Sequence, residues 1–363
     1  KIMGLASYGK VKKRWLKHFV DFYKSDPDGK ASDYMSKLDI LGKKIGVTFD
    51  INNRLSEQIQ YDVAATSQAA FEECFMEAAF PYIDANSDLP ICITGGCGLN
   101  ILLNTKIKEI TGMPVFVGPS PSDCGIAIGA MLKFLKPKKQ IDLTYKGIPI
   151  LDKHVLHQYL QYYPNIKKLM KKDEYYHPHE QYDPSIVIND LVEGKIVGVV
   201  RGNAEIGPRA LGNRSILCNP SIEGMKDTLN AKVKNREWYR PFAPVVRLED
   251  VEKYFEWEGE SRFMSFCPKV RKKWRKKLQA ITHVDNTARI QTVTKEQNEW
   301  LYDLLTELDK QTGVGVLLNT SFNVNGKPIL STYRDAFEIF DKTKLDCLLL
   351  EDYYIRKEVF KRI

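Results

Sequence analysis

The fold class of this chain follows from PICITGGCGLNILLNTKIKEITGMPVFVGPSPSDCGIAIGAMLKFL, residues 90–135. Pro90 to Thr94 is a short apolar run that predicts a strand, and Gly95-Gly96 predicts a tight turn before a helix over Leu99 to Ile110. A second apolar run, Val115 to Gly118, precedes a small-residue helix over Ile126 to Leu135. This βαβα order favours a parallel sheet and therefore an α/β fold.

Helical periodicity extends upstream, and a second α/β region lies downstream. Residues 56–79 carry a wide apolar stripe at helical spacing, beginning after Ser56. Residues 136–185 are rich in lysine and tyrosine without a regular period, which is typical of a linker. Beyond them we predict helices near 185–193, 221–232 and 334–342, and strands over 195–201, 314–318 and 347–350. The chain therefore divides into two predicted domains, 1–140 and 141–363.

Composition indicates an ordinary globular protein. The 363 residues are enough for two hydrophobic cores, and 43% are hydrophobic while 28% are charged. No run approaches the ~18 consecutive apolar residues of a membrane-spanning helix. The seven cysteines are scattered without CxxC spacing, which is typical of reduced thiols, so we expect a cytoplasmic location. The net charge of +8 suits an anionic ligand such as a nucleotide.

Arginine is concentrated in GPRALGNRSILCNPSIEGMKDTLNAKVKNREWYRPFAP, residues 207–244. A solvated helix face would mix Glu with Lys, whereas this segment sets arginines among glycine, proline and asparagine. The guanidinium group is a planar fork of donors that matches a phosphate or carboxylate, so arginines on stiff turns indicate recognition of an oxyanion. Any one of them could be an ordinary surface residue. The candidate cations are Arg209, Arg214, Lys234, Arg236 and Arg240.

Two turns of the first region could contact a ligand. Gly95 and Gly96 lie between a strand and a helix, where free N–H groups can bind phosphate, although such turns also carry glycine for geometry alone. Asn100 could add a polar contact or be an exposed helix residue. Asp123 precedes the small-residue helix as an ordinary N-cap or as a metal or phosphate contact.

The second region supplies polar groups near two predicted strands. Asp285 and Arg289 belong to the polar segment HVDNTARIQ over 283–291. Asn319, Ser321 and Asn323 follow the predicted strand over 314–318, where their amides and hydroxyl could orient a small polar group. A polar turn ending at Gly326 explains the last three equally well when they are considered alone.

These segments resemble the NodU/CmcH-type O-carbamoyltransferases. In that family a nucleotide-binding domain of the actin/Hsp70/sugar-kinase (ASKHA) superfamily precedes a YrdC-like α/β domain. The resemblance therefore implies a partial ASKHA-like domain over 1–140, followed by a linker and a YrdC-like domain over 141–363. The matching segments are KIMGLASYGK (1–10), ITGGCGLN (93–100), PSPSDCGIAIGA (119–130), EIGPRALGNRSIL (205–217), VKNREWYRPFAP (233–244), HVDNTARIQTV (283–293) and LLNTSFNVNGKPI (317–329).

The resemblance implies transfer of a carbamoyl group from carbamoyl phosphate, through carbamoyl adenylate formed with ATP and Mg²⁺, to a hydroxyl of a sugar or similar acceptor. It assigns the catalytic cations to the five arginine and lysine residues named above. It assigns substrate and nucleotide binding to Gly95, Gly96, Asn100, Gly207, Asn213, Asp285, Arg289, Asn319, Ser321 and Asn323. Asp123 matches an aspartate that joins iron or another divalent metal in this family.

One departure concerns that metal. The family's HxxH motif is absent, so we expect this chain to be the C-terminal part of a longer protein with an incomplete metal site. Two rival hypotheses remain: a YrdC-like RNA-binding or tRNA-modification protein, using the basic run KVRKKWRKK over 269–277, and a sugar or acid kinase based on Gly95-Gly96. We expect neither membrane nor nucleic acid as the main partner, and both monomer and homodimer stay open.

Overall fold

The computed structural model describes residues 2–25, 34–49, 56–83, 89–139, 141–161, 167–168 and 185–357. The chain forms two compact units. The first comprises Lys1–Cys92, Leu102–Phe116 and His283–Asp285, and the second comprises Ile93–Ile101, Val117–Thr282 and Asn286–Ile363. The loops at 93–101 and 117–140 thus group with the second unit by contact, whereas the predicted domain boundary at residue 140 remains a prediction.

The first unit is mainly helical. Its helices are α1 (Ile2–Ala6), α2 (Lys13–Lys24), α3 (Tyr34–Ile45), α4 (Glu57–Ala79) and most of α5 (Ile101–Thr111). Trp15 and Phe19 of α2 are buried with Leu41 of α3 and Ala70 of α4, which gives this unit its own apolar core. The helix predicted over 56–79 is confirmed. It begins directly after Ser56, although the Ser56 side chain makes no capping hydrogen bond.

A two-stranded sheet contains β1 (Ile91–Ile93) and β2 (Val115–Val117), and α6 (Ile126–Leu135) follows it in the chain. These elements match the predicted βαβα order, and α6 has the predicted bounds. Next come the short α7 (Leu156–Leu160) and β3 (Lys167–Lys168). None of the described helices is both long enough and apolar enough to cross a membrane.

The second unit is built on a mixed sheet of eight strands in the order β3-β10-β9-β4-β5-β8-β6-β7. The pairs β4–β9 and β6–β7 are parallel, whereas β4–β5, β5–β8, β6–β8, β9–β10 and β3–β10 are antiparallel. The strands are β4 (Val197–Val200), β5 (Arg214–Cys218), β6 (Ala243–Arg247), β7 (Gln291–Val293), β8 (Val316–Ser321), β9 (Cys347–Leu350) and β10 (Tyr353–Arg356).

Helices cover this sheet. They are α8 (Ser185–Val192), α9 (Met225–Leu229), α10 (Val251–Tyr254), α11 (Glu299–Thr312) and α12 (Tyr333–Lys342). In α11 the leucines at 301, 304, 305 and 308 recur at helical spacing, and all four are buried in the core with β4 and β8 residues. Asn298 caps α11 by accepting a hydrogen bond from the Leu301 N–H (3.1 Å), and Gly313 ends it in the left-handed region.

Candidate functional site

A glycine fixes the arginine-rich loop that precedes β5. Gly207 has φ +107°, and a Cβ atom there would lie 2.0 Å from the Pro119 carbonyl oxygen. Only glycine permits this backbone conformation together with so close an approach. The GPRALGNR loop is therefore seated against the PSPSDCG loop, and both belong to the second unit.

A single carboxylate organises the backbone of the same loop. Glu205 Oε1 accepts hydrogen bonds from the N–H groups of Leu211 (2.6 Å), Asn213 (2.8 Å) and Arg214 (3.3 Å). The sequence interpretation missed this residue. A sequence feature that could have identified Glu205 is that it is the only acidic residue between positions 194 and 222, in a segment that contains several glycines and arginines.

Arg214 serves the fold at this point of the loop. It is 1% exposed, and its guanidinium donates to the carbonyl oxygens of Arg201 (2.8 Å), Asn213 (2.9 Å) and Gly202 (2.9 Å). Asn213 is engaged similarly. Its side-chain nitrogen donates to the Asn203 carbonyl (2.8 Å) and its side-chain oxygen accepts from Asn298 (3.0 Å). Both side chains stabilise the loop that leads into β5.

Lys234 joins the KNREWYR segment to the turn that follows β8. It is 3% exposed, and its ammonium donates to the Ser321 carbonyl (2.6 Å), the Asn323 carbonyl (2.7 Å) and Asn323 Oδ1 (2.6 Å). Burial, reinforced by the charges of Arg236 and Arg240, lowers the pKa of Lys234 to about 7. One of the predicted cations, Lys234, is therefore in direct contact with the predicted amide-rich turn.

Within that turn the polar side chains also bond to one another. Ser321 Oγ donates to Asn323 Oδ1 (2.7 Å), and the Asn323 amide nitrogen donates to the Lys327 carbonyl (2.6 Å). Asn319, fully buried in β8, donates to Gln291 Oε1 (2.6 Å) and lies 3.3 Å from the Ala210 carbonyl. Gln291 completes the link by donating to the Leu211 carbonyl (2.7 Å), a role that sequence reasoning did not find.

Four arginines form a cluster of like charge, which we call the arginine cluster: Arg209, Arg236, Arg240 and Arg289. Each side chain is only partly exposed. Burial, followed by the charges of the other three, holds the pKa of Arg289 well below its ordinary value. Burial and Arg240 likewise lower the pKa of Arg209. Such mutual repulsion is relieved when an anion binds between the groups.

The four guanidinium groups differ in how they are engaged. Arg236 donates to Asn230 Oδ1 (2.7 Å) and to the Pro241 carbonyl (3.2 Å), and its guanidinium carbon lies 4.4 Å from the centre of the Phe242 ring. Arg240 lies 3.7 Å from the Glu237 carboxylate. Arg209 and Arg289 form no side-chain hydrogen bond or ion pair with any residue that the structure describes. Their donors are available for a ligand.

A pocket lies beside Arg209 in the second unit. Glycine turns shape one side of it: a Cβ on Gly98 would lie 3.0 Å from Pro121 Cβ, so the two loops pack tightly. Gly95 and Gly96 come before Gly98 in the chain and are uncrowded, since no atom lies within 4 Å of a Cβ built on either residue. Gly95 has φ +79°. The pocket is lined by Gly98, Leu99, Ile101, Gly118, Pro119, Pro121, Pro208, Arg209, Phe263, Met264 and Ser265.

Two family models match the chain. The model described as "Carbamoyltransferase N-terminus" matches residues 1–132, and that described as "Carbamoyltransferase C-terminus" matches residues 188–357. The chain belongs to the carbamoyltransferase family. The predicted resemblance to its NodU/CmcH members is thereby confirmed.

Curated relatives agree with this assignment. Nodulation protein NolO of Bradyrhizobium diazoefficiens is 34% identical, over 98% of this chain and 65% of its own length. A 3'-hydroxymethylcephem-O-carbamoyltransferase of Streptomyces clavuligerus is 33% identical, over 83% of this chain and 55% of its own length. The chain thus spans between about half and two thirds of the length of these relatives. Full-length HypF, solved in a phosphate- and nucleotide-bound form, covers 51% of the chain with a TM-score of 0.32 and 18% identity, a likeness too weak to define the fold.

The two remaining acidic residues predicted for the site are Asp285 and Asp123. Asp285 belongs to the first unit, where it accepts a hydrogen bond from Ser7 Oγ (3.1 Å). Asp123 is exposed at the start of the 3₁₀ turn Asp123–Gly125. Among the residues that the structure describes, no group of three His, Cys, Asp or Glu could hold a metal ion. The described residues around Asp123 therefore do not by themselves supply the ligands that the expected metal needs.

Proposed function

We propose that the second unit binds carbamoyl phosphate and ATP and forms carbamoyl adenylate, from which the carbamoyl group passes to a hydroxyl of a sugar or secondary-metabolite acceptor. The observation that carries this proposal is the pair Arg209 and Arg289, which are partly buried in a cluster of like charge with no described ion-pair partner. Family membership indicates the reaction class, and the Streptomyces relative is named as an O-carbamoyltransferase.

The arginine cluster suits a polyanion because its charges are uncompensated. Glu237, 3.7 Å from Arg240, is the one carboxylate paired with any of the four within the described structure. Bidentate arginine–phosphate contacts are stronger than neutral hydrogen bonds, and they gain further strength where water is partly excluded. A bound phosphate would therefore relieve the repulsion that lowers the pKa of Arg289 and Arg209.

All of the predicted site residues except Asp285 and Asp123 receive a role in this proposal. Arg209 and Arg289 bind phosphate directly, with Arg236 and Arg240 contributing from the KNREWYR segment. Lys234 and Arg214 position the site, since their donors are directed at backbone and turn oxygens. Asn319, Ser321 and Asn323 shape the wall that faces the carbamoyl group. Gly207 and Asn213 hold the loop, while Gly95, Gly96 and Asn100 would contact the nucleotide.

Water displaces phosphate from carbamoyl phosphate, and the resulting carbamate oxygen bonds to the α-phosphorus of ATP as the bond to pyrophosphate breaks. The acceptor hydroxyl oxygen then bonds to the carbamoyl carbon, its proton is released, and AMP departs. The arginines stabilise charge that builds up on the transferring phosphoryl oxygens. Mg²⁺ would arrive bound to ATP and reduce the charge of its β- and γ-phosphates.

The test is ATP–pyrophosphate exchange that depends on carbamoyl phosphate. Loss of one arginine that acts on a dianion costs on the order of 2–4 kcal/mol of transition-state stabilisation, so Arg209→Ala should slow exchange roughly a hundredfold. Arg262→Ala is the matched control, because Arg262 pairs with the exposed Glu260 (2.7 Å) and is not a member of the cluster. Equal exchange by Arg209→Ala and wild type would refute the proposal.

A further inference from the structure

One exposed aromatic side chain stands between two members of the arginine cluster. Trp238 is 54% exposed, and no other aromatic side chain among the described residues 185–357 falls in the exposed class. It is two residues from Arg236 on one side and two from Arg240 on the other. Tryptophan offers a large apolar face, and leaving that face in water forfeits the stabilisation that burial would bring.

The backbone beneath Trp238 is held firmly. Asn230, 2% exposed, accepts from Arg236 Nε (2.7 Å) and donates to the carbonyl oxygens of Trp238 (3.3 Å) and Arg240 (3.2 Å). The Arg240 N–H also donates to the Glu237 carbonyl (3.2 Å), so Trp238 occupies the first central position of a four-residue turn. The indole is thus presented at the tip of a turn that is fixed at both ends.

The neighbouring ring supports the indole. The Tyr239 and Trp238 rings meet edge to face, with centroids 6.0 Å apart and planes at 87°. Tyr239 itself is only partly exposed. Hydrogen bonds hold this turn, Tyr239 packs against the indole, and an arginine lies two residues away in the chain on either side of Trp238. Together these features suit a flat ligand that carries phosphate next to an aromatic ring.

We propose that Trp238 stacks on the nucleobase whose phosphates bind the arginine cluster, and that it sets the preference of this site for nucleotide over adenine-free polyphosphate. This inference rests on the proposed function for the identity of the ligand. Base stacking on an aromatic side chain is substantial and tolerates any base, because every base has a π-face. Trp238 therefore acts as a positioning residue and not as a participant in bond making.

The experiment titrates the intact chain with ATP and, separately, with tripolyphosphate, following intrinsic tryptophan fluorescence and calorimetry. Trp238→Ala should weaken ATP binding by roughly ten- to a hundredfold, whereas Trp238→Phe should retain most of it. Tripolyphosphate should bind wild type, Trp238→Ala and Trp238→Phe equally. Tyr82→Ala, which removes an 89% exposed aromatic of the first unit, is the control and should bind ATP as wild type does.

The outcomes separate the two proposals. Equal ATP affinity in wild type and Trp238→Ala would overturn the inference. A loss of tripolyphosphate binding as large as the loss of ATP binding would also overturn it, because the effect would then lie in the loop and not in stacking. Absence of carbamoyl phosphate-dependent exchange in wild type, with Trp238-dependent ATP binding intact, would refute the proposed function and leave the stacking role standing.

Discussion

Lys234 and Asn323 are 89 residues apart in the chain, yet the ammonium of Lys234 donates to both the carbonyl and the side-chain oxygen of Asn323, at 2.7 and 2.6 Å. This pair joins the KNREWYR segment to the turn after β8. Hydrogen bonds therefore link two segments that both carry predicted site residues.

The lowered pKa of Lys234 predicts that the free energy of unfolding depends on pH. Burial, with Arg236 and Arg240, lowers the pKa of Lys234 to about 7, whereas a lysine in the unfolded chain titrates at roughly 10.4. Between these values the unfolded chain binds more protons, so the free energy of unfolding should rise with pH from about 7 to 10. The Lys234 contribution to the slope approaches about 1.4 kcal/mol per pH unit at most.

Urea denaturation of wild type and Lys234→Met between pH 7 and 9 measures this contribution. The variant should show a shallower slope even if it is less stable throughout. Lys253→Met is the comparison. Burial lowers the pKa of Lys253, but its hydrogen bonds with Tyr254 and Asp309 raise that pKa on balance, so removal of Lys253 should leave the slope in this window unchanged. Parallel slopes for wild type and Lys234→Met would show that the oxygen cage keeps the ammonium charged.

Gly207→Ala should destabilise the second unit severely. Alanine would have to adopt φ +107° and place Cβ 2.0 Å from the Pro119 carbonyl oxygen, so the loop or its neighbour must move. We expect a loss well above the roughly 1–2 kcal/mol of left-handed strain alone. Gly259→Ala provides that reference, because φ is +84° there and nothing lies within 4 Å of its Cβ. Thermal denaturation of the two variants should separate clearly, and equal melting temperatures would contradict the close approach.

The basic run over 269–277 predicts only salt-sensitive attraction to RNA. Its arginines serve the fold: Arg275 donates to the Val270 carbonyl (2.9 Å), and Arg271 donates to the Phe255 carbonyl (3.1 Å). The five exposed lysines are Lys269, Lys272, Lys273, Lys276 and Lys277. Replacing these five by alanine should abolish any tRNA gel shift seen at low salt, and wild-type binding should vanish by ~100 mM salt.

The lysine run at Lys136, Lys138 and Lys139 supplies the control for that measurement. Its alanine variant should retain the low-salt shift if the attraction arises at 269–277. Wild-type binding that persists above ~100 mM salt would favour the rival RNA-binding hypothesis over nonspecific attraction.

Elements with a strong period and clear boundaries could be predicted from sequence. α6 and β9 have the predicted bounds, and α12 (Tyr333–Lys342) differs by one residue. The helix predicted near 221–232 is instead α9 followed by a π-helical turn over Asn230–Lys234, which ends where Asn235 enters the left-handed region. β5 was missed because its first residue is an arginine, whose charge is buried among three backbone carbonyls, two of them from Arg201 and Gly202 on the preceding loop.

The sequence by itself determined the family, because the family's motifs match along most of the chain, and it determined the residue types available to the site. Tertiary structure alone decided which of those side chains hold the fold and which remain available. Arg214 and Lys234 are surrounded by carbonyl oxygens, whereas Arg209 and Arg289 face other arginines. A cation's availability depends on the oxygens around it, and those come from residues far away in the chain.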